Sequence, residues 1–463
     1  MGTNENLSDK EILVLGYAKT GKSVAEFLVK QQANVTINDR GDLSQDPSVT
    51  LLLEEGVQIV DGGHPLELLD KHFDMIIKNP GIPYSIPFLQ KAIEKNIPIY
   101  TDVELASRFN KAPIIGITGS NGKTTTTSLL RELLTQRAKG NAYLAGNIGI
   151  PTLDVIEQAT EDDDIVMELS SFQLAGTEQF HSEIAVITNI YEAHLDYHQT
   201  REEYAKAKLK ILANQTQDDY VVYRYDNAEL HQWVEEFKGQ LVPFSIETID
   251  EFVRENGAYV EGEWIYFKEE QIIPLSDIQI PGSHNVENVL AAVAVAKLKG
   301  ISNQEISDIV KEYKGMRHRI QPVANVSGRS FYNDSKATNI TATITALNSF
   351  KQPIRFIGGG LDRGNEFDEL IPYLKNVSGA YLYGETKDKM AKAFKAAGVN
   401  TIEIFDDLIE ATSKAYREAR QGEVVLLSPS CASWDQYQNF EIRGDVYIDT
   451  IEQLLLEEPY TDE

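Results

Sequence analysis

The sequence has one cysteine, Cys431, in 463 residues. That excludes an intramolecular disulfide and any metal site built from several thiolates. Long apolar runs are missing too: no stretch reaches the ~18 residues that a membrane-spanning helix needs. The opening residues, MGTNENLSDKEILVLG, lack the basic region and small-residue cleavage site of a signal peptide. Positive charge is scarce, with 43 Lys and Arg against 71 Asp and Glu and a formal charge of −28. Nucleic-acid affinity comes mainly from Lys and Arg on phosphates, so a nucleic-acid partner is not expected. The acidic surplus reads as a solubility feature. A cytoplasmic monomer without a membrane partner is the expectation.

What is present suits a globular protein: 42% of residues are hydrophobic and 25% charged. The length calls for two or three domains. Short apolar runs alternate with helical stretches, the pattern of parallel α/β layers. Strands are expected at Ile12–Leu15, Val35–Asn38, Gln58–Val60 and Met75–Lys78, with a helix at Ser23–Gln32. The pattern restarts at Ile114–Thr118 and continues through Ile165–Glu168 and Ile184–Asn189. A more β-like region spans Tyr220–Ile280, followed by a helix at Val286–Leu298. Met316–Arg319 opens a last unit with strands at Ile354–Ile357, Gly379–Tyr383 and Val424–Ser428. Three domains are expected, at 1–101, 102–314 and 315–463.

Two glycine turns stand out. The first, Val14-Leu15-Gly16-Tyr17-Ala18-Lys19-Thr20-Gly21, leads from strand to helix like a dinucleotide fingerprint, but Ala18 replaces the middle glycine. It is either a rest for a nucleotide diphosphate, with Asp39 closing the next strand, or a plain tight turn. The second, Thr118-Gly119-Ser120-Asn121-Gly122-Lys123-Thr124-Thr125, follows a buried strand and opens a Thr-rich helix. Its amides can encircle phosphates, Lys123 supplies a point charge and Thr124 a hydroxyl for Mg²⁺. The spacing misses GxxxxGK(S/T) by one residue, because Ile117 stands where the first glycine belongs. That points away from motor-type and GTPase loops.

Three further residues have the right chemistry near that loop. Glu168 ends a strand, where a carboxylate suits a Mg²⁺ ligand. His194 follows another strand end, the side on which ligands gather in open α/β sheets, though a lone histidine is also an ordinary polar contact. On the helix Glu202–Ala213, spacing of about 100° per residue puts Tyr204, Ala207, Leu209, Ile211 and Leu212 on one apolar arc. Lys208 falls inside that arc, while Lys206 and Lys210 fall on the polar side. Either Lys208 snorkels to water, or it is buried with a lowered pKa. A buried neutral amine can take up CO₂ as a carbamate and serve as a metal ligand.

The motifs TGSNGKT, ELSSFQL, AHLD, AKLKI and GSHNVEN resemble those of the Mur ligases, the amino-acid-adding enzymes of bacterial cell-wall synthesis. NDSKATN at Asn333–Asn339 and SPSCASWDQY at Ser428–Tyr437 are similar to the branch that adds D-glutamate. The resemblance implies an α/β protein of three domains: Rossmann-like at the N-terminus, P-loop ATPase-like in the middle and Rossmann-like at the C-terminus. It implies UDP-N-acetylmuramoyl-L-alanine and D-glutamate as substrates, with ATP and two Mg²⁺ ions. Gly119 to Thr125 would hold ATP together with His284, Asn285, Asn288, Arg319 and Asp334. Thr124, Glu168, His194 and carbamylated Lys208 would serve the metals, with Lys123, His194 and Lys208 catalytic. Asp39, Arg40, Asn147, Ser170 and Gln173 would contact the nucleotide substrate. Lys336, Thr338, Ser433 and Phe440 would surround D-glutamate. Arg363 stands where some members carry a lysine, and a guanidinium also grips a carboxylate. Cys431, although inside a matching motif, reads as a packed small residue.

Rival readings are a sister ligase of the same family, a folylpolyglutamate synthase-like ligase, and a non-catalytic nucleotide-binding regulator. An NAD-dependent oxidoreductase fits less well, since its fingerprint is broken and the phosphate loop is left unexplained.

Overall fold

The computed structural model describes residues 6–137 and 139–457. The chain forms three sheets in succession. The first contains β1 (Glu11–Leu15), β2 (Asn34–Asn38), β3 (Gln58–Val60), β4 (Met75–Lys78) and β5 (Ile99–Tyr100). Its order is β3-β2-β1-β4-β5 and every pairing is parallel. Four of β1's five residues are buried, as expected for a strand covered on both faces. The order reverses direction beside β1, so a crevice opens at the carboxyl ends of β1 and β4.

The second sheet has β6 (Ile114–Thr118), β7 (Ala142–Gly146), β8 (Asp164–Glu168), β9 (Ile184–Ile187), β10 (Tyr220–Arg224) and β11 (Gln240–Ser245). It is extended by β12 (Ala258–Glu261), β13 (Trp264–Phe267) and β14 (Glu270–Pro274). The order is β14-β13-β12-β11-β10-β9-β6-β8-β7, parallel except for the two pairings of the last three strands. The β-like tract after Tyr220 is thus an extension of this sheet. β6 lies between β8 and β9, and the loop that leaves it rises at a second switch point.

The third sheet has β15 (Gln321–Val326), β16 (Arg329–Asn333), β17 (Ile354–Gly359), β18 (Val377–Tyr383), β19 (Ile402–Ile404) and β20 (Val424–Leu427). Its order is β15-β16-β20-β17-β18-β19, with only β15 antiparallel to its neighbour. The chain packs into two compact units. One contains the first two sheets with Glu287–Ile309, the other the third sheet with Ser276–Val286. In the first unit one apolar cluster runs from Ile12 and Val14 through Val103 and Leu153 to Ile187 and Tyr223, and another packs Leu13 and Leu15 against Leu69, Phe88 and Leu89.

Some expected boundaries move. The first helix spans Lys19–Lys30, because Gln32 turns left-handed at φ 61° and closes it. The helix Arg201–Leu209 tightens into a 3₁₀ turn at Lys210–Leu212. That change of pitch alters the wheel: Lys210 is partly buried and donates to the carbonyls of Ala175 and Thr177 at 2.7 and 2.9 Å. Lys206 stays on the polar side, paired with Glu203. Among the described residues no helix is long and apolar enough to cross a membrane.

Candidate active site

All five residues of β6 are buried, and the chain leaves the strand through Gly119-Ser120-Asn121-Gly122 into the helix Lys123–Leu134. Both glycines are required by geometry. Gly122 caps the helix at φ 83°, and a Cβ there would lie 2.2 Å from the Asn288 Oδ1. A Cβ on Gly119, at φ 150°, would lie 1.9 Å from the Thr188 Oγ1. The loop is held from outside: Ser120 N donates to the Asn189 carbonyl and Asn121 N to Asn189 Oδ1, each at 2.9 Å. Thr188 Oγ1 donates to the Asn121 carbonyl at 2.6 Å, and Ser120 Oγ lies 3.0 Å from the Tyr204 hydroxyl. Lys123 folds back over the loop, its ammonium donating to the carbonyls of Gly119 and Ser120 at 2.7 and 2.9 Å. A positive charge therefore stands over a ring of amides at a helix N-terminus, a ready site for phosphate. Thr124, the next residue, is buried at the start of the helix.

Beside β6, β8 ends on Glu168, only 1% exposed. Asn147, just past β7, donates from Nδ2 to Glu168 Oε1 at 2.7 Å and from its backbone to the Glu168 carbonyl at 2.8 Å. Glu168 Oε2 is buried and has no hydrogen-bond partner among the described residues. Leaving a carboxylate oxygen in that state is costly unless a cation satisfies it. Lys208 is also 1% exposed, so it does not snorkel. Its Nζ donates to the Gly119 carbonyl at 2.8 Å and lies 4.7 Å from the centre of the Tyr204 ring. Burial pushes its ammonium well below the usual lysine range; the Lys123 charge adds to this and Glu168 opposes it. His194 is exposed, left-handed at φ 55°, and heads the short helix Leu195–His198. Its ring lies 5.0 Å from that of Phe172.

Among the described residues no group of three His, Cys, Asp or Glu side chains stands close enough to hold a metal alone. The orphaned Glu168 oxygen, the Thr124 hydroxyl and phosphate oxygens from a ligand are nevertheless the hard oxygen donors that Mg²⁺ prefers, supplied jointly by protein and substrate.

In the first sheet, the turn after β1 is built tightly. Gly16 sits at φ 93° with a would-be Cβ 2.9 Å from Asn79 Cβ, and one on Gly21 would lie 1.9 Å from the Gly16 carbonyl oxygen. Asp39 Oδ2 accepts from Tyr17 N at 2.6 Å and Oδ1 from Gly41 N at 2.7 Å. Asp39 thereby clamps the turn, and Arg40 beside it is exposed. Ser170 and Gln173 form a capping box on the helix Ser171–Ala175, each bonding the other's backbone N–H. A larger cavity of about 670 Å³ lies at the opposite, amino ends of β6 and β9, bordered by Lys111, Ile114, His181 and Glu183, far from these groups.

The second unit has its own constellation. Asp334 follows β16, buried, with Oδ1 accepting from Ile320 N at 3.2 Å and Oδ2 from Ser428 Oγ at 2.8 Å. Burial pushes its carboxyl up to about 7. A cavity of about 80 Å³ is bordered by Thr338, Asp362, Arg363, Thr386, Ser430 and Cys431. The Arg363 guanidinium lies 4.8 Å from the centre of the Trp434 ring. Cys431 is buried with Sγ 3.3 Å from Thr386 Oγ1, and burial pushes its thiol up to about 11. It is a packed residue and an unreactive one. Lys336 Nζ lies 5.8 Å from the centre of the Phe440 ring, and Phe440 opens the helix Phe440–Glu457. Ser433 is 2% exposed, with a hydroxyl that has no partner among the described residues. Asn285 donates from Nδ2 to the Pro281 carbonyl at 2.6 Å. His284 is exposed and Arg319 half-buried.

Three domain models cover most of the chain: the MurD-like N-terminal domain at residues 10–101, the middle domain at 117–296 and the glutamate ligase domain at 318–431. The UDP-N-acetylmuramoylalanine–D-glutamate ligase of Listeria innocua is 50% identical over 448 residues, 97% of each chain. The Bacillus cereus enzyme of the same name is 49% identical over 455 residues, 98% of this chain and all of that one. The chain belongs to the Mur ligase family. Its fold is also that of solved structures too distant to carry more. The Thermotoga maritima UDP-N-acetylmuramate-alanine ligase MurC superposes with a TM-score of 0.56 at 17% identity, covering 97% of this chain and 100% of that one. The MurF ligase of the same organism, in complex with ADP, gives 0.56 at 16% identity, covering 97% and 96%.

In this Mur ligase the first unit brings Gly119 to Thr124, Asn147, Glu168, Lys208 and Asn288 to the carboxyl ends of β6, β7 and β8. Asn288 Oδ1 lies 3.4 Å from Thr126 Oγ1 and beside Gly122. In the second unit Thr338 and Arg363 border the small cavity, whereas Ser433 and Lys336 are not in its wall. Sequence reasoning overlooked Thr188 and Asn189, which frame the phosphate loop; the polar pair ending an apolar strand was their signal. It also overlooked Ser430, left-handed at φ 59° with an orphaned hydroxyl, and Arg443, fully buried and donating to Ser335 and to the Cys431 carbonyl.

Proposed function

We propose that the chain is the ATP-dependent ligase that joins D-glutamate to UDP-N-acetylmuramoyl-L-alanine, a cytoplasmic step of peptidoglycan synthesis, and that it acts as a monomer. The observation that carries the reading is the convergence of Lys123, Glu168 and Lys208 on one phosphate loop, in a chain that matches D-glutamate ligases from end to end. The proposed domains are 1–101 for the nucleotide substrate, 102–314 for ATP and 315–463 for the amino acid.

The amides of Gly119 to Gly122 and the Lys123 ammonium hold the β- and γ-phosphates and neutralise their charge. Thr124, Glu168, His194 and a Lys208 carbamate are the proposed ligands of two Mg²⁺ ions. Bound there, Mg²⁺ supplies charge neutralisation of the transferring phosphoryl group. His284, Asn285, Asn288, Arg319 and Asp334 serve the rest of the nucleotide. Asp39, Arg40, Asn147, Ser170 and Gln173 orient the muramoyl nucleotide so that its alanyl carboxylate oxygen faces the γ-phosphorus. That oxygen attacks, the bond to the β–γ bridging oxygen breaks, and ADP leaves. The D-glutamate amine, held with Lys336, Thr338, Arg363, Ser433 and Phe440 around it, then attacks the acyl-phosphate carbonyl carbon. A tetrahedral intermediate collapses with loss of phosphate, and the amine proton leaves to a base, a role His194 suits.

The test is phosphate release with ATP, Mg²⁺ and UDP-N-acetylmuramoyl-L-alanine, comparing D-glutamate with L-glutamate, L-lysine, meso-diaminopimelate and L-alanine. Release with D-glutamate alone is expected. Release with another amino acid would assign the chain to a sister activity, and none with any would favour a nucleotide-binding regulator.

A further inference from the structure

Lys78 is a buried lysine with no part in the chemistry above; burial pushes its ammonium down to about 7, and the Asp102 carboxylate pulls the other way. It ends β4, opposite Leu15 of β1, and is 1% exposed. Its ammonium donates to three neutral oxygens: the carbonyls of Asn79 and Pro80 at 3.2 and 3.1 Å, and the Tyr197 hydroxyl at 3.2 Å. The Tyr84 ring lies beneath it, 4.8 Å from Nζ to the centroid. Stability alone does not explain such a residue, because a packed apolar side chain of the same volume is usually at least as stable as a buried charge.

The partners join two places that matter. Asn79 packs against Gly16 and donates from its backbone to the Leu15 carbonyl, so it belongs to the turn proposed to receive the nucleotide end of the substrate. Tyr197 lies on the four-residue helix headed by His194. That helix is bracketed by two left-handed non-glycine residues, His194 at φ 55° and Gln199 at φ 66°. Such a conformation is strained and persists only where the surroundings fix it. Its surroundings supply such contacts, among them the rings of Phe172 and Tyr204 beside His194 and His198. Tyr197 OH is within reach of the Pro80 and Ile82 carbonyls at 3.3 and 3.4 Å, and His198 Nε2 lies 2.9 Å from Ser171 Oγ. Phe172 packs edge-on against both His194 and Tyr197.

We propose that Lys78 is a positioning residue: through Tyr197 it ties the Asn79–Pro80 turn of the first sheet to the strained His194 helix of the second. The seat of the nucleotide end and the orientation of His194 are then set by one clasp. This rests on the proposed role of His194, but the clasp itself is readable without turnover.

The experiment uses the full-length chain with Lys78→Met, which keeps the stem and removes the ammonium, Tyr197→Phe, which removes one hydroxyl, and the double variant. Turnover is measured with D-glutamate present, against ATP, Mg²⁺ and UDP-N-acetylmuramoyl-L-alanine, and hydrogen exchange is followed over residues 191–199 without ligands. Each single variant is expected to lower kcat roughly 10- to 100-fold, the scale of small misplacements of reacting groups. The Mg²⁺ half-saturation rises, the KM for ATP does not move, and the double variant is no worse than the worse single. Exchange over 191–199 speeds up in both while the melting temperature holds. Unchanged exchange in Lys78→Met and Tyr197→Phe would overturn the clasp, whether or not the wild type turns over D-glutamate. Additive losses in kcat would overturn it too, as would a fall in melting temperature with kcat intact.

Discussion

Lys208 and Lys123 donate to the same oxygen: the Gly119 carbonyl lies 2.8 Å from one ammonium and 2.7 Å from the other. Burial first, and repulsion from the Lys123 charge second, push the Lys208 ammonium well below the usual lysine range, towards the neutral amine. A neutral amine is the form that reacts with CO₂. Lys208→Ala is therefore expected to abolish turnover, a loss of at least about 10²-fold, without rescue by bicarbonate. In wild type, ¹³C-bicarbonate should give a carbamate resonance that the variant lacks. A wild-type rate in the variant would remove the carbamate from the mechanism.

Glu168→Gln keeps the shape of the side chain and removes the charge of its orphaned oxygen. The expected result is a loss of about 10²-fold in kcat, with a raised requirement for Mg²⁺. A Mg²⁺ titration of the initial rate checks it; an unchanged titration midpoint would move the cation elsewhere.

On the proposed role of Arg363 in holding D-glutamate, its stack on Trp434 separates two contributions to binding. An exposed cation–π contact contributes about 0.5–1 kcal/mol, so Trp434→Leu should raise the KM for D-glutamate only about 2- to 5-fold. A charge-assisted hydrogen bond contributes about 1.5–3 kcal/mol, so Arg363→Ala should raise it about 10-fold or more. The KM for ATP should stay level in both, and equal effects of the two substitutions would contradict this division.

Asp334 makes stability depend on pH. Its folded-state carboxyl titrates near 7, above the ordinary 3.8, because burial penalises the charge. Between about pH 4 and 7 the folded chain therefore holds a proton that the unfolded chain has lost, and stability falls as pH rises through that window. One proton corresponds to a slope of up to about 1.4 kcal/mol per pH unit. Asp334→Asn should flatten that part of the profile in calorimetry, and an identical slope in the variant would count against it.

What could be read in advance was local along the chain. The phosphate loop is contiguous, and its glycines, lysine and threonine announce themselves by order alone. Lys208 was legible because a charge inside an apolar arc breaks a 3.6-residue period. Lys210 was misjudged for the complementary reason: the helix tightens at that residue, and a wheel drawn at constant pitch carries it to the wrong face. Asn189 and Thr188 escaped notice because their bonds to Asn121 of the loop span 68 and 67 residues. Nothing near Arg443 or Lys78 in sequence shows that both are almost completely covered.

Asn147 fixes more than the attitude of its neighbour. With Oε1 of Glu168 already accepting one hydrogen bond at 2.7 Å, Oε2 is the oxygen left without a partner among the described residues for the proposed cation. Calcium readily takes carboxylates through both oxygens and tolerates seven or eight ligands, whereas magnesium asks for six at short, regular spacing. On the proposed metal role of Glu168, a side chain that need not touch the ion would tilt the choice between two abundant divalent cations, by favouring one carboxylate oxygen over two.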